Sequence, residues 1–158
     1  MTATATPVGA LAASRRIDTE LFGTIEVTDE QVLTFAQGPL GFPACTQWVL
    51  LGGATAGTAW LQSTEHEPLA FLLVDPFHLF DGYTVELPPL ELARLGATNA
   101  SEVAVFAIVT LPESREAPVT ANLLGPIVVN FRGRTGAQLV TSSERWSIKQ
   151  PFALAAIQ

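Results

Sequence analysis

Residues 61–77, LQSTEHEPLAFLLVDPF, hold an apolar run between two acidic ends. Glu65, His66 and Glu67 precede the run, and Asp75, Pro76 and Phe77 close it. Two carboxylates beside a histidine suit a catalytic cluster, a metal site or the solvated rim of a strand. The local chemistry favours the rim. "AWLQS" and "LAFLLV" read as two strands joined at "TEHEP", a hairpin loop. Pro76 cannot donate the next ladder hydrogen bond, and the Asp75 carboxylate is placed to accept a local backbone N–H, so the second strand ends there.

The pattern on either side is also that of strands. In "RRIDTELFGTIEV", Ile17, Thr19, Leu21, Gly23, Ile25 and Val27 share one parity, and Asp18, Glu20, Thr24 and Glu26 the other. That is the alternation of a half-buried strand. "QVLTF" and "QWVLLGG" read as strands separated by "AQGPLGFPACT", a loop shaped by two glycines and two prolines. "FDGYTVELP" carries a turn into a short strand. "PPLELARLG" is the one helix candidate, with proline at its start and Gly96 as its stop. "EVAVFAIVTL" is the most β-branched run and reads as a central strand buried on both faces. "APVTANLLGPIVVNFRGRTGAQLVT" reads as strand, turn, and a hairpin through "RGRTG". About eight to ten short strands with one short helix predict an all-β domain, a small antiparallel barrel or sandwich. One domain over 16–150 is expected, between a flexible N-terminal tail (1–15) and a C-terminal tail (151–158).

With 48% hydrophobic and 15% charged residues in 158, the chain is a folded globular one. No apolar run approaches the length that crosses a bilayer. The N-terminal segment places its two arginines after its apolar stretch, the reverse of a secretory signal, so a cytoplasmic protein is expected. A lone Cys45 fits a reducing compartment. The net charge of −7 argues against generic nucleic-acid binding. Its distribution is uneven. Eleven acids and no lysine or arginine lie between Ile17 and Ala93, whereas six basic residues face four acids from Arg94 onward. Such asymmetry suits a face that attracts a cationic partner, unless folding interleaves the halves.

Candidate chemistry is sparse. A metal site would draw on Cys45, His66, His78, Glu65, Glu67 and Asp75, whose spacing matches no zinc pattern. Cys45 in "PACTQW" reads as a buried thiol, though an enzyme or small-ligand barrel using Cys45, His66 and Asp75 stays open as an alternative. "GGATAG" has glycines but no lysine and no following helix, so it is a turn and not a phosphate cradle. Arg132 and Arg134 beside Phe131 leave an RNA-binding module as a second alternative. No cofactor and no metal are expected, and the absence of an enzyme motif shifts weight to protein binding.

Three segments together, "LTFAQGPLGFPACTQWVLL" (33–51), "WLQSTEHEPLAFLLVDPF" (60–77) and "VTANLLGPIVVN" (119–130), resemble the FliW family of flagellar assembly factors. The resemblance runs from about Thr19 to Leu139. It departs at Gly125, where the family usually carries alanine before the proline, a backbone-permissive change. The resemblance implies a strongly bent antiparallel β-barrel-like domain and a partner switch in place of catalysis. Such a protein binds flagellin near its C-terminal region in the cytoplasm. It also binds the translational repressor CsrA, which otherwise sits on flagellin messenger RNA; flagellin export then frees the factor to act on CsrA. Neither membrane nor direct nucleic-acid contact is implied. On this reading Glu65 and Glu67, with Gln62 and Ser63, are expected to meet basic CsrA. Leu40, Phe42, Phe77 and Phe80 are expected around an apolar groove for flagellin. Asn122 is expected to stabilise a turn.

Overall fold

The chain begins as a hairpin, β1 (Ser14–Thr19) and β2 (Gly23–Thr28), and continues into β3 (Val32–Phe35), β4 (Gln47–Gly52), β5 (Thr58–Ser63) and β6 (Ala70–Val74). Two short helices follow, α1 (Pro76–Leu79) and α2 (Pro89–Arg94), and then β7 (Ala104–Thr110), β8 (Val119–Asn130), β9 (Thr135–Gln138) and β10 (Gln150–Phe152). These elements belong to a computed structural model that describes residues 14–153. Strands β3 to β9 form a closed ring, in which each strand pairs antiparallel with the next. The parallel pair β9–β3 shuts it, with Thr135 opposite Thr34 and Gly136 opposite Phe35. Closure leaves few sheet edges to manage.

Alternation decides what faces inward. Leu33, Phe35, Trp48, Leu61, Leu73, Ile127 and Val129 are buried together with Cys45 inside the ring. Trp48 is fully buried against Phe35 and Phe71, and its indole N–H donates to the Cys45 carbonyl at 2.8 Å. Gly136 lets the Phe35 ring lie against its backbone, where a Cβ would collide with that ring. The outer faces carry smaller cores of their own. Ile17 and Val27 of the β1–β2 hairpin cover Val32 and Val49. Leu95, at the end of α2, covers Val128 and Leu139. Phe80, Tyr83, Trp146 and Phe152 cover Val74, Ala107, Val109 and Ala121.

Several elements differ from the sequence reading. The "DPFHL" stretch is a second helix: Asp75 caps it, accepting the Phe77 N–H at 2.9 Å, and Pro76 pre-sets its first turn. Residues 83–88 are extended but pair with no strand. β7 is central yet only partly covered, with Val105, Phe106 and Ile108 half-buried. "LLGP" is no turn; it lies within the single strand β8 at a bulge. There two β7 steps, Phe106 to Ile108, span five on β8, Ile127 to Asn122. Asn122 holds the bulge, its Oδ1 accepting from the N–H of Leu124 at 3.0 Å and of Gly125 at 2.8 Å. A Cβ on Gly125 would meet the amide ends of Asn122 (2.8 Å) and Gln138 (2.9 Å), so alanine here requires both to shift. Strands run past both expected boundaries: Ser14 and Arg15 lie in β1 of the separate β1–β2 hairpin, and β10 pairs with β8 in the main sheet. The rest of the expected tails lies outside the described residues.

Glu102 accepts hydrogen bonds from the Thr98 hydroxyl (2.9 Å) and the Thr98 N–H (3.3 Å), which lower its carboxyl below the usual 4.5. A carboxylate shifted this way stabilises the fold above its unfolded pKa and loses that contribution as pH falls through the lowered folded value. The stability difference between wild type and Glu102→Gln should therefore hold from neutral pH to about 4.5 and shrink below it, read by thermal melts across that range.

Candidate functional site

The β5–β6 connection, residues 64–69, is held from beneath by the two polar residues before it. Gln62 and Ser63 are 0% and 1% exposed, so neither presents a side chain to a partner, contrary to expectation. Hydrogen bonds offset the burial of the Gln62 amide nitrogen and of Ser63 Oγ, whereas Gln62 Oε1 has no partner among the described residues. Gln62 Nε2 donates to the carbonyls of Ser63 (3.0 Å), Glu67 (3.2 Å) and Leu69 (3.2 Å). Ser63 Oγ accepts the N–H groups of Glu65 and His66, each at 3.0 Å. Glu65 is exposed, but its Oε1 also accepts the backbone N–H groups of Thr46 (3.1 Å) and Gln47 (3.2 Å). The loop is thereby clamped to the start of β4.

Fold then adds an acid that the sequence reading did not single out. The Glu20 N–H donates to the Glu67 carbonyl at 3.0 Å, which sets the β1–β2 turn beside this loop. Glu20, Glu65 and Glu67 are all exposed at this rim. Among the described residues the ion pairs are Arg16–Glu26 and Arg94–Glu91, so none neutralises the three. The unbroken alternation of 17–27 reads as one strand and hides the turn between Thr19 and Gly23 that carries Glu20, and a contact across 47 residues of chain has no sequence signature.

The apolar candidates divide. The loop between β3 and β4 is tightened by Gly38 N–H to Pro43 C=O (3.0 Å), Phe42 N–H to Pro39 C=O (2.8 Å) and Cys45 N–H to Phe42 C=O (3.0 Å). Pro39 is buried, while Leu40 stands 66% exposed and Phe42 lies edge-on to Phe71, ring centroids 5.9 Å apart. Phe77 is half-exposed beside Tyr83 at 5.3 Å. Phe80 is not a surface residue: it is 7% exposed and packs against Trp146 and Phe152 at 6.0 and 5.7 Å. It belongs to the core beneath residues 146–152.

The ligand and catalytic alternatives are not assembled. Cys45 is buried in the barrel, His66 is exposed on the acidic loop, and Asp75 caps α1 at the far end of β6. That strand separates them by roughly 16 Å at ~3.3 Å per residue. Among the described residues no three of His, Cys, Asp and Glu converge as metal ligands would. Arg134 is committed to structure. It takes a left-handed φ of 56° at the β8–β9 hairpin, donates Nη1 to the Asp29 carbonyl at 2.9 Å, and its own carbonyl accepts the Thr34 N–H. Arg132 stands exposed beside Glu102. No helix among the described residues is long and apolar enough to cross a membrane.

With this geometry in place, three kinds of likeness can be set beside it. The profile of the family described as FliW protein matches residues 16–152. A flagellar assembly factor FliW of Natranaerobius thermophilus is 34% identical over 138 residues, 87% of this chain and 91% of its own length. One from Leptospira biflexa is 36% identical over 85% of this chain and 88% of its own, and one from Heliobacterium modesticaldum 38% identical over the same shares. A crystal structure of the flagellar assembly factor FliW superposes with a TM-score of 0.79 at 32% identity, covering 87% of this chain and 96% of that one.

Proposed function

The chain belongs to the FliW family of flagellar assembly factors, and from that premise we propose that it is a cytoplasmic, chaperone-like regulator that binds flagellin and antagonises the translational repressor CsrA. It thereby couples flagellin synthesis to export. One observation carries the second half of this reading: the turn bearing Glu20 is bonded to the loop bearing Glu65 and Glu67, and among the described residues none of the three is in an ion pair. A repressor that grips RNA is basic where it does so, and an uncompensated acidic rim steers and holds such a surface. Rigidity matters as much as charge, because a loop already fixed by Gln62, Ser63 and the β4 backbone loses little conformational entropy on binding. Exposed Leu40, Phe42 and Phe77 supply the apolar surface for flagellin, the first two on a loop fixed by its own turns. The switch follows from linkage: whatever one partner does to the affinity of the other is returned in equal measure.

Calorimetric titration with CsrA and with flagellin tests this. Glu65→Lys/Glu67→Lys is expected to weaken CsrA by about tenfold or more, some 1.4 kcal/mol, and to leave flagellin within about twofold. Glu65→Lys also removes the acceptor for Thr46 and Gln47, so Glu65→Gln, which keeps an acceptor oxygen, separates charge from loop stability. Loss of CsrA affinity at high salt should track the charge variants. If wild type binds neither protein, the proposal fails.

A further inference from the structure

A cleft of about 800 Å³ lies outside the barrel between residues 82–91 on one wall and 138–146 on the other, with Leu123 and Leu124 also lining it. Each wall includes a stretch with open main-chain groups, residues 84–87 on one and 139–142 on the other. On one, Leu139 N–H donates to the Pro126 carbonyl at 2.9 Å and Thr141 N–H to the Leu124 carbonyl at 2.8 Å. In an extended chain the intervening residues then turn their N–H and C=O the other way. Val140, 74% exposed, and Ser142 make no such bond within the described residues. On the other wall, Tyr83 is buried, Val85 and Leu87 are half-buried and Thr84 and Glu86 are exposed, the alternation of a strand. Yet no hydrogen bond among the described residues engages the backbone of Thr84, Val85, Glu86 or Leu87. These two segments face the cleft with main-chain groups that no other segment engages among the described residues.

We infer that this cleft binds an extended polypeptide segment by strand addition, and that the segment belongs to flagellin. Main-chain pairing gives affinity in such a site, while pockets for alternate side chains give selectivity. Glu86 is exposed without an ion pair among the described residues, so the segment carries a basic side chain beside it. Arg145 also lines the cleft, its guanidinium donating to the Asp81 carbonyl at 2.9 Å and stacked on Trp146. The cleft is continuous with the apolar surface assigned to flagellin. Gln138, on its wall, accepts the Leu40 N–H at 2.7 Å, and Tyr83, next to the other wall, touches Phe77. A chain awaiting export has unpaired backbone to offer, whereas a folded basic repressor meets the separate acidic rim. This assignment rests on the proposed flagellin binding.

Hydrogen exchange on the full chain, free and with purified flagellin, tests it together with calorimetry. Flagellin is expected to slow exchange at Val140, Ser142 and at residues 84–87. Val140→Pro, which deletes an N–H with no intramolecular partner, should weaken flagellin about tenfold, and Val140→Ala by less than about twofold. The exchange measurement on wild type stands even if the proline variant folds poorly. Flagellin binding without protection of these amides overturns this inference alone. So does protection by CsrA in place of flagellin, or protection that rises with protein concentration and no partner, which means a second copy fills the cleft. No flagellin binding at all overturns both this inference and the function it rests on.

Discussion

Trp48→Ala is expected to remove about 3–5 kcal/mol of stability, a large share of the ~5–15 kcal/mol that a domain possesses. Three losses act together. The indole is fully buried, its rings sit 6.1 Å from Phe35 and 5.7 Å from Phe71, and its N–H is the partner of the Cys45 carbonyl. Alanine leaves a cavity in the barrel and strips that carbonyl of its side-chain donor. Phenylalanine would restore much of the volume and none of the hydrogen bond, so Trp48→Phe should cost less, about 1–3 kcal/mol. Urea titration distinguishes them: the midpoint falls in both, further for alanine, with an unchanged slope if the unfolded states are alike.

Gly38→Ala is the second large effect, and it strikes function through shape. A Cβ there would collide with the carbonyl oxygens of Phe42 and Cys45, both backbone atoms held in the tight β3–β4 loop. Flexible side chains can step aside; these carbonyls cannot without opening the turns that bury Pro39 and lift Leu40 and Phe42 outward. Overpacking of this kind costs about 1–3 kcal/mol, and more where backbone must move. The expected result is a lowered melting temperature together with weakened flagellin binding and retained CsrA binding. A variant that keeps full flagellin affinity would show that the loop does not present the apolar contact.

The hairpin at 61–77 was legible because its pattern and its stop signals agree: an apolar run up to Val74, then an aspartate cap and a proline. The same is true of the α2 stop, where Gly96 takes φ 77°. Asn122 was readable as a local anchor, though it anchors a bulge inside a strand; proline after "LLG" signals a break in pairing without saying whether the chain turns. Gln62 and Ser63 were misplaced because polar residues are usually exposed, and only the three-dimensional loop shows the carbonyls that the Gln62 amide nitrogen bonds and the amides that Ser63 Oγ accepts. Phe80 and Phe77 are three residues apart in one helical turn and its cap, yet one is core and one is surface. What decides it is Trp146 and Phe152, far along the chain. Residues 83–88 have a strand's alternation and no strand beside them, and sequence periodicity reports burial, never pairing.

The parallel seam between β9 and β3 has a temporal consequence. Thr135 must find Thr34 across about a hundred residues, so the ring cannot close until nearly the whole chain has been synthesised. Until then β3 offers an unsatisfied edge to any neighbouring strand. Newly made chains therefore pass through a sticky interval whose length is set by translation itself, and dilution, not faster local folding, is what shortens their exposure to one another.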